Sequence, residues 1–197
     1  VTIKDVLGSL EQPWSYSHLS ENCNVTMKDV LDHPEFQWDY ERLSANTNIN
    51  LQHILDNPKL PWCYDYLSWN PSISMKDIID HPELPWCYDF LSSNTSITTQ
   101  DVTENPHINW DYGNLSRNKN VNMKYVLKNP DKNWDYYELM RNPSINISEL
   151  EDYKGSEILD PNSRFYFSKI SLNPNITLSF IESNASKIDF GNLSSNK

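Results

Sequence analysis

Asn70–Ser93 reads NPSISMKDIIDHPELPWCYDFLSS, one complete period of a 24-residue pattern. Its tryptophan, Trp86, belongs to a single arithmetic progression: Trp14, Trp38, Trp62, Trp86, Trp110 and Trp134. Six of the 7 tryptophans fall on this row, and self-similarity at a fixed period marks a repeat architecture. Around each row member the same residues return. Tyrosine stands two positions on (Tyr16 to Tyr136) and leucine five on (Leu19 to Leu139). Asparagine stands eight on, as Asn22, Asn46, Asn70, Asn94, Asn118 and Asn142, and an aliphatic residue follows three after it (Val25 to Ile145). Beyond Asn142 the unit persists with a displacement of 7: Phe165, Phe167, Ile170 and Asn173 keep the internal spacing. Ile188, Phe190, Leu193 and Asn196 close an eighth copy, one residue short. Residues 1–197 therefore read as one solenoid of about eight repeats, each rung burying itself against its neighbours, with an insertion near 149–164.

Each unit contains two helical signals. Thr26 is placed as an N-cap, with Asp29 three residues later and Met27, Val30 and Leu31 as an apolar stripe at i, i+3 and i+4. Thr2 with Asp5, Ser74 with Asp77 and Thr98 with Asp101 repeat the pattern. Proline stops the segment at Pro34, Pro58, Pro82, Pro106 and Pro130. The Trp38, Tyr40, Leu43 spacing predicts a second short helix, and Pro61 and Pro85, just before their tryptophans, fit the first-turn preference for proline. Helices of seven or eight residues do not persist alone in water, so stacking must hold them. The predicted fold is all-α: a right-handed solenoid of short paired helices, α with α or α with 3₁₀. A strand-based solenoid competes, but two prolines per unit and the helical stripe oppose it.

The asparagine row predicts a partly buried internal ladder, because an amide both donates and accepts at a bend. Asn173 continues it after the insertion. Asn24, Asn94, Asn114, Asn146, Asn175, Asn184 and Asn192 begin N-x-Ser/Thr triplets, most of them a by-product of repeat composition. Cys63 and Cys87 share a repeat position and, with Cys23, read as reduced packed thiols; a disulfide between the first two is the alternative. Trp69 lies off the ladder, where other rungs carry Glu21, Ala45, Ser93 and Arg117. It is an outward-facing interaction candidate or an edge-packing residue. The insertion EDYKGSEILDPNS places Tyr153 and Lys154 beside turn residues Gly155 and Pro161, a second candidate surface.

Against 16 basic residues stand 27 acidic ones, a net charge of −11 that opposes nonspecific binding to nucleic acid or anionic membranes while leaving basic proteins as partners. No apolar run reaches the roughly 20 residues of a membrane span. The histidines show no zinc-like convergence, and four glycines supply no phosphate-cradling loop. Asp65 and Asp89 align on neighbouring rungs but are explained by the repeat. The expectation is no catalytic, cofactor or metal residue and no enzyme activity. It is instead a protein-interaction scaffold, with a structural assembly component as the alternative and a solenoid enzyme third.

The unit built from Asn70, Pro71, Ile73, His81, Pro82, Pro85, Trp86, Leu91, Ser92 and Asn94 resembles an asparagine- and tryptophan-rich repeat family of giant, mimivirus-like viruses of amoebae. The resemblance covers nearly the whole chain apart from the insertion and the last two rungs. It implies a viral origin, action in host cytoplasm or virion, and a host or viral protein partner, with self-association open. It implies no activity. The period is also similar to that of leucine-rich-variant solenoids, in which an α-helix alternates with a 3₁₀ helix.

Overall fold

The computed structural model describes residues 1–146, 168 and 170–195. The insertion near 149–164, with Tyr153, Lys154, Gly155 and Pro161, lies outside the described residues, as do Phe165, Phe167 and Asn196. The described residues form 14 short α-helices and no strand. They are α1 (Ile3–Leu7), α2 (Tyr16–Ser20), α3 (Met27–Asp32), α4 (Tyr40–Ala45), α5 (Leu51–Asp56), α6 (Tyr64–Trp69), α7 (Met75–Asp80) and α8 (Tyr88–Ser92). Then follow α9 (Thr99–Glu104), α10 (Tyr112–Leu115), α11 (Met123–Lys128), α12 (Tyr136–Arg141), α13 (Leu178–Ser183) and α14 (Phe190–Ser194). The chain is an all-α helical repeat solenoid in which both helices of a rung are α, and α2, α4, α6 and α8 pack side by side. It divides into two compact units, Val1–Ile97 and Thr98–Lys197.

The first helices α1, α3, α5, α7 and α9 begin at a capping box, while α11 and α13 begin at a side-chain N-cap, Asn122 or Thr177, without the reciprocal bond. The reciprocal half, made by Asp rather than the longer Glu, is the shorter bond. The N-cap N–H donates to the carboxylate at 2.8 Å in Thr26–Asp29, Ser74–Asp77 and Thr98–Asp101, while the forward bond to the N-cap hydroxyl spans 3.2–3.4 Å. Asn50 with His53 makes a fifth box that the Thr/Ser–Asp pattern does not reveal. Helices α3, α5, α7, α9 and α11 end before their prolines, and the carbonyl of the closing turn, which accepts the backbone N–H three residues on, receives a second donor from an unexpected source. The indole N–H of the ladder tryptophan reaches back five residues, to the carbonyls of Ser9, His33, Asn57, His81, Asn105 and Asn129, at 2.8–3.0 Å. Trp thus adds a second, side-chain donor to a carbonyl just past a helix C-terminus while packing its rings against the rung.

That bond corrects the reading of the second helix. The tryptophan is not inside it: the helix starts two residues later, with Ser15, Asp39, Cys63, Cys87, Asp111, Asp135 or Asp189 as N-cap. Pro61 and Pro85 therefore lie two residues outside the cap, in the turn rather than the first helical turn. The apolar stripe is also narrower than predicted. Met27 and Val30 are buried, but Leu31 is 51% exposed and its counterpart Ile79 is 53% exposed. In these short stacked helices the i and i+3 positions face the core, while the i+4 position lies at its edge, half-buried at Leu55 and Leu127.

Between rungs, the core is made of the fully buried leucines Leu43, Leu67, Leu91 and Leu139 and the aliphatics Ile49, Ile73 and Ile97. Tyrosine of one rung meets tryptophan of the next edge to face: Tyr40 with Trp62 at 5.6 Å, Tyr64 with Trp86 at 5.7 Å and Tyr112 with Trp134 at 5.0 Å between centroids. Trp38, Trp86, Trp110 and Trp134 are buried, Trp14 and Trp62 half-buried.

Candidate functional site

Two polar ladders hold the rungs in register. The asparagine row divides its amide between its own turn and the rung before. In Asn70 the Oδ1 accepts the Ser72 N–H at 2.9 Å, while Nδ2 donates to the carbonyls of Ser44 and Asn46 at 2.9 Å and of Ile49 at 3.2 Å. Asn46, Asn94 and Asn142 repeat this geometry, and Asn173 donates to Ile145. Asn118 is buried and accepts from the Asn120 N–H. Asn22, on the first rung, is half-buried and accepts from the Asn24 N–H at 2.9 Å. Because Asn94 is fully buried in this ladder, its N-x-Ser triplet has no room for a glycan.

The second ladder is serine, missed from the sequence although the repeated Leu-Ser pair marks it. Ser20, Ser44 and Ser68 each donate Oγ to the carbonyl four residues back, at 2.6–2.8 Å. Each also accepts the N–H of the next rung's N-cap residue, Asp39, Cys63 or Cys87, at 2.9–3.0 Å. Ser116 does the same for Asp135. Cys63 and Cys87 cap without a side-chain bond, and all three cysteines are free thiols. By the repeat, Glu41 stands to Cys63, and Asp65 to Cys87, as Ser17 stands to Asp39. The Ser17 hydroxyl donates to Asp39 at 2.7 Å. An acid in Ser17's register does not exclude a capping carboxylate, since Asp89 stands so to Asp111, which caps α10.

One concave site on the first unit is not absorbed by these ladders. A groove of about 490 Å³ crosses α2, α4 and α6, lined by Ser17, Glu21, Asp39, Glu41, Arg42, Ala45, Asn46, Tyr66 and Trp69. Its origin is local. Glu21, Ala45 and Trp69 occupy one register on three successive rungs, and the methyl of Ala45 leaves a gap between two large neighbours. Trp69 is 46% exposed and, unlike the six ladder indoles, its N–H has no partner among the described residues. Tyr66 is exposed beside it and lies against Phe90, 6.1 Å between centroids.

No protein-family model, curated protein or solved structure matches this chain. The site therefore rests on its own geometry.

Within the groove Arg42 pairs with Glu21 across the rungs and lies 3.4 Å from Asp39. The Ser17 hydroxyl, backed by the Arg42 backbone N–H and guanidinium, holds the Asp39 carboxyl below its ordinary range, against the partial burial that opposes it. Glu41 forms no ion pair among the described residues. Lined by three acids and one base, the groove carries two net negative charges. Among the described residues no group of three or more His, Cys, Asp or Glu side chains is placed to hold a metal ion. No helix among them is long and apolar enough to cross a membrane. Of the lining residues, sequence reasoning singled out Trp69 as a contact candidate and Asn46 as a member of the asparagine ladder. The remaining lining residues share no motif, since they converge only once three rungs are stacked.

Proposed function

We propose that this chain is a noncatalytic protein-interaction scaffold whose contact face, on the first unit, centres on Trp69 and Tyr66. The observation that carries this reading is Trp69: a large aromatic nearly half exposed, its indole N–H without a partner among the described residues, walling a groove where the repeat needs no tryptophan. Exposed aromatics backed by a rigid framework are the usual anchors of protein interfaces. The resemblance to giant-virus repeat proteins makes a host or viral protein the partner, met in host cytoplasm or virion. Affinity capture from infected-cell lysate with the intact chain and with Trp69→Ala tests this reading. A defined protein retained by the first and lost by the second is expected; equal retention by both removes Trp69 from the interface and refutes the assignment.

A second reading, a structural assembly built by lateral packing, draws support from the exposed aliphatic positions Leu7, Leu31 and Ile79 on α1, α3 and α7. Light scattering across a concentration series tests it: self-association abolished by Leu31→Lys with Ile79→Lys is its signature, and a monomer at every concentration refutes it.

A further inference from the structure

We propose that the Trp69 groove recognises a cationic side chain, a lysine or arginine, presented by an extended basic segment of a partner protein. This rests on the interaction-scaffold reading and supplies its specificity. The groove draws its lining from three successive rungs. Helices packed about 9 Å apart place its ends roughly 18 Å from one another, the reach of about five or six extended residues. At the centre, Ala45 leaves depth for one long side chain. One wall is the exposed indole of Trp69 with the Tyr66 ring, the latter held against Phe90. An aliphatic stem lies well on such a wall, and a cation close to the ring face gains from the ring quadrupole.

The opposite wall decides the sign of the charge. Arg42 engages both Glu21 and Asp39, so the acids of that corner are already paired, with one net negative charge left over. Glu41, exposed and without an ion partner among the described residues, is the acceptor left for an incoming cation. Asp65, four residues before Trp69 and so on the same helical face, likewise enters no ion pair there. With two net negative charges in the groove and −11 on the chain, an anionic ligand is repelled and a basic segment is drawn in.

The test uses the purified chain and glycine-flanked five-residue peptides carrying lysine, arginine, norleucine or glutamate at the centre. The readout is ¹⁵N NMR of the tryptophan indoles, with the backbone amides of Glu41 and Tyr66 as reporters where Trp69 is replaced. The lysine and arginine peptides are expected to shift the Trp69 indole selectively and to weaken as salt is raised. Glu41→Gln and Trp69→Ala, whose helical content is checked by circular dichroism, should each lower affinity about fivefold. Norleucine binding as tightly as lysine, without salt dependence, overturns the cationic assignment while leaving the interaction face standing. Preference for the glutamate peptide, or for a neutral oligosaccharide run in parallel, overturns it too. No shift of Trp69 with any peptide, together with equal lysate capture by intact and Trp69→Ala chains, overturns both readings.

Discussion

Replacing Asn70 by alanine removes three donated bonds and one accepted bond from a fully buried position. The Asn46 carbonyl keeps a second partner, the Ile49 N–H at 2.9 Å, so its loss is partial. The Ser44 and Ile49 carbonyls and the Ser72 N–H are left without the amide. A buried polar group stripped of its partner costs about 1–3 kcal/mol, and some relaxation of the turn offsets part of the sum, so a total of about 3–4 kcal/mol is expected. Asn22→Ala, on the half-buried first rung, should cost about 1 kcal/mol or less. Asn70→Asp sharpens the comparison. It keeps the Oδ1 acceptor but turns a second oxygen toward the Ser44 and Asn46 carbonyls, so it should be at least as damaging as alanine. Urea unfolding followed by circular dichroism gives the three values. Equal midpoints for the Asn22 and Asn70 variants, or an aspartate milder than alanine, would refute the cross-rung donor role.

Three further outcomes follow from the same geometry. Trp86→Ala, which opens a cavity and leaves the His81 carbonyl with the Leu84 N–H alone, should cost about 3–5 kcal/mol, whereas Trp69→Ala should stay within about 0.5 kcal/mol of the parent in thermal or urea unfolding. Cys87→Asn should add about 0.5–1 kcal/mol by completing the cap of α8; an unfolding midpoint no higher than the parent's would remove the missing side-chain bond as a weakness. Burial raises the Tyr40, Tyr64, Tyr112 and Tyr136 hydroxyls above their ordinary range, so the folded state holds their protons longer than the unfolded chain does. Their contribution is complete below about pH 10 and is lost as pH rises through the folded values. At the acid end the lowered Asp39 carboxyl contributes stability above about pH 4 that disappears as pH falls through its folded value, and Ser17→Ala should shallow that slope. Unfolding midpoints across pH, with tyrosinate absorbance for the alkaline limb, check both.

The repeat, the helical class and the capping pairs were legible because each rests on residues close in sequence. Thr26 and Asp29 meet within one turn whatever the rest of the chain does, and Pro34 ends α3 for the same local reason. The position of the tryptophan was less legible. Its spacing from Tyr40 and Leu43 is compatible with a helical face, and only the indole bond to His33, five residues back, shows that it closes the first helix rather than opening the second.

What the sequence by itself determined is therefore the unit: its period, its two short helices, the start and stop of the first, and Trp69 as the odd tryptophan. What the tertiary structure decided is everything that passes between units. Asn70 reaches Ser44, 26 positions earlier, and Ser68 reaches Cys87, 19 positions later. Exposure of Leu31 and Ile79 depends on which side of each helix the next rung covers. The groove exists because stacking sets Ala45 between Glu21 and Trp69. Local rules act on neighbours along the chain, and a solenoid repeats them faithfully; a surface assembled from one residue per rung takes its shape only when the rungs are laid side by side.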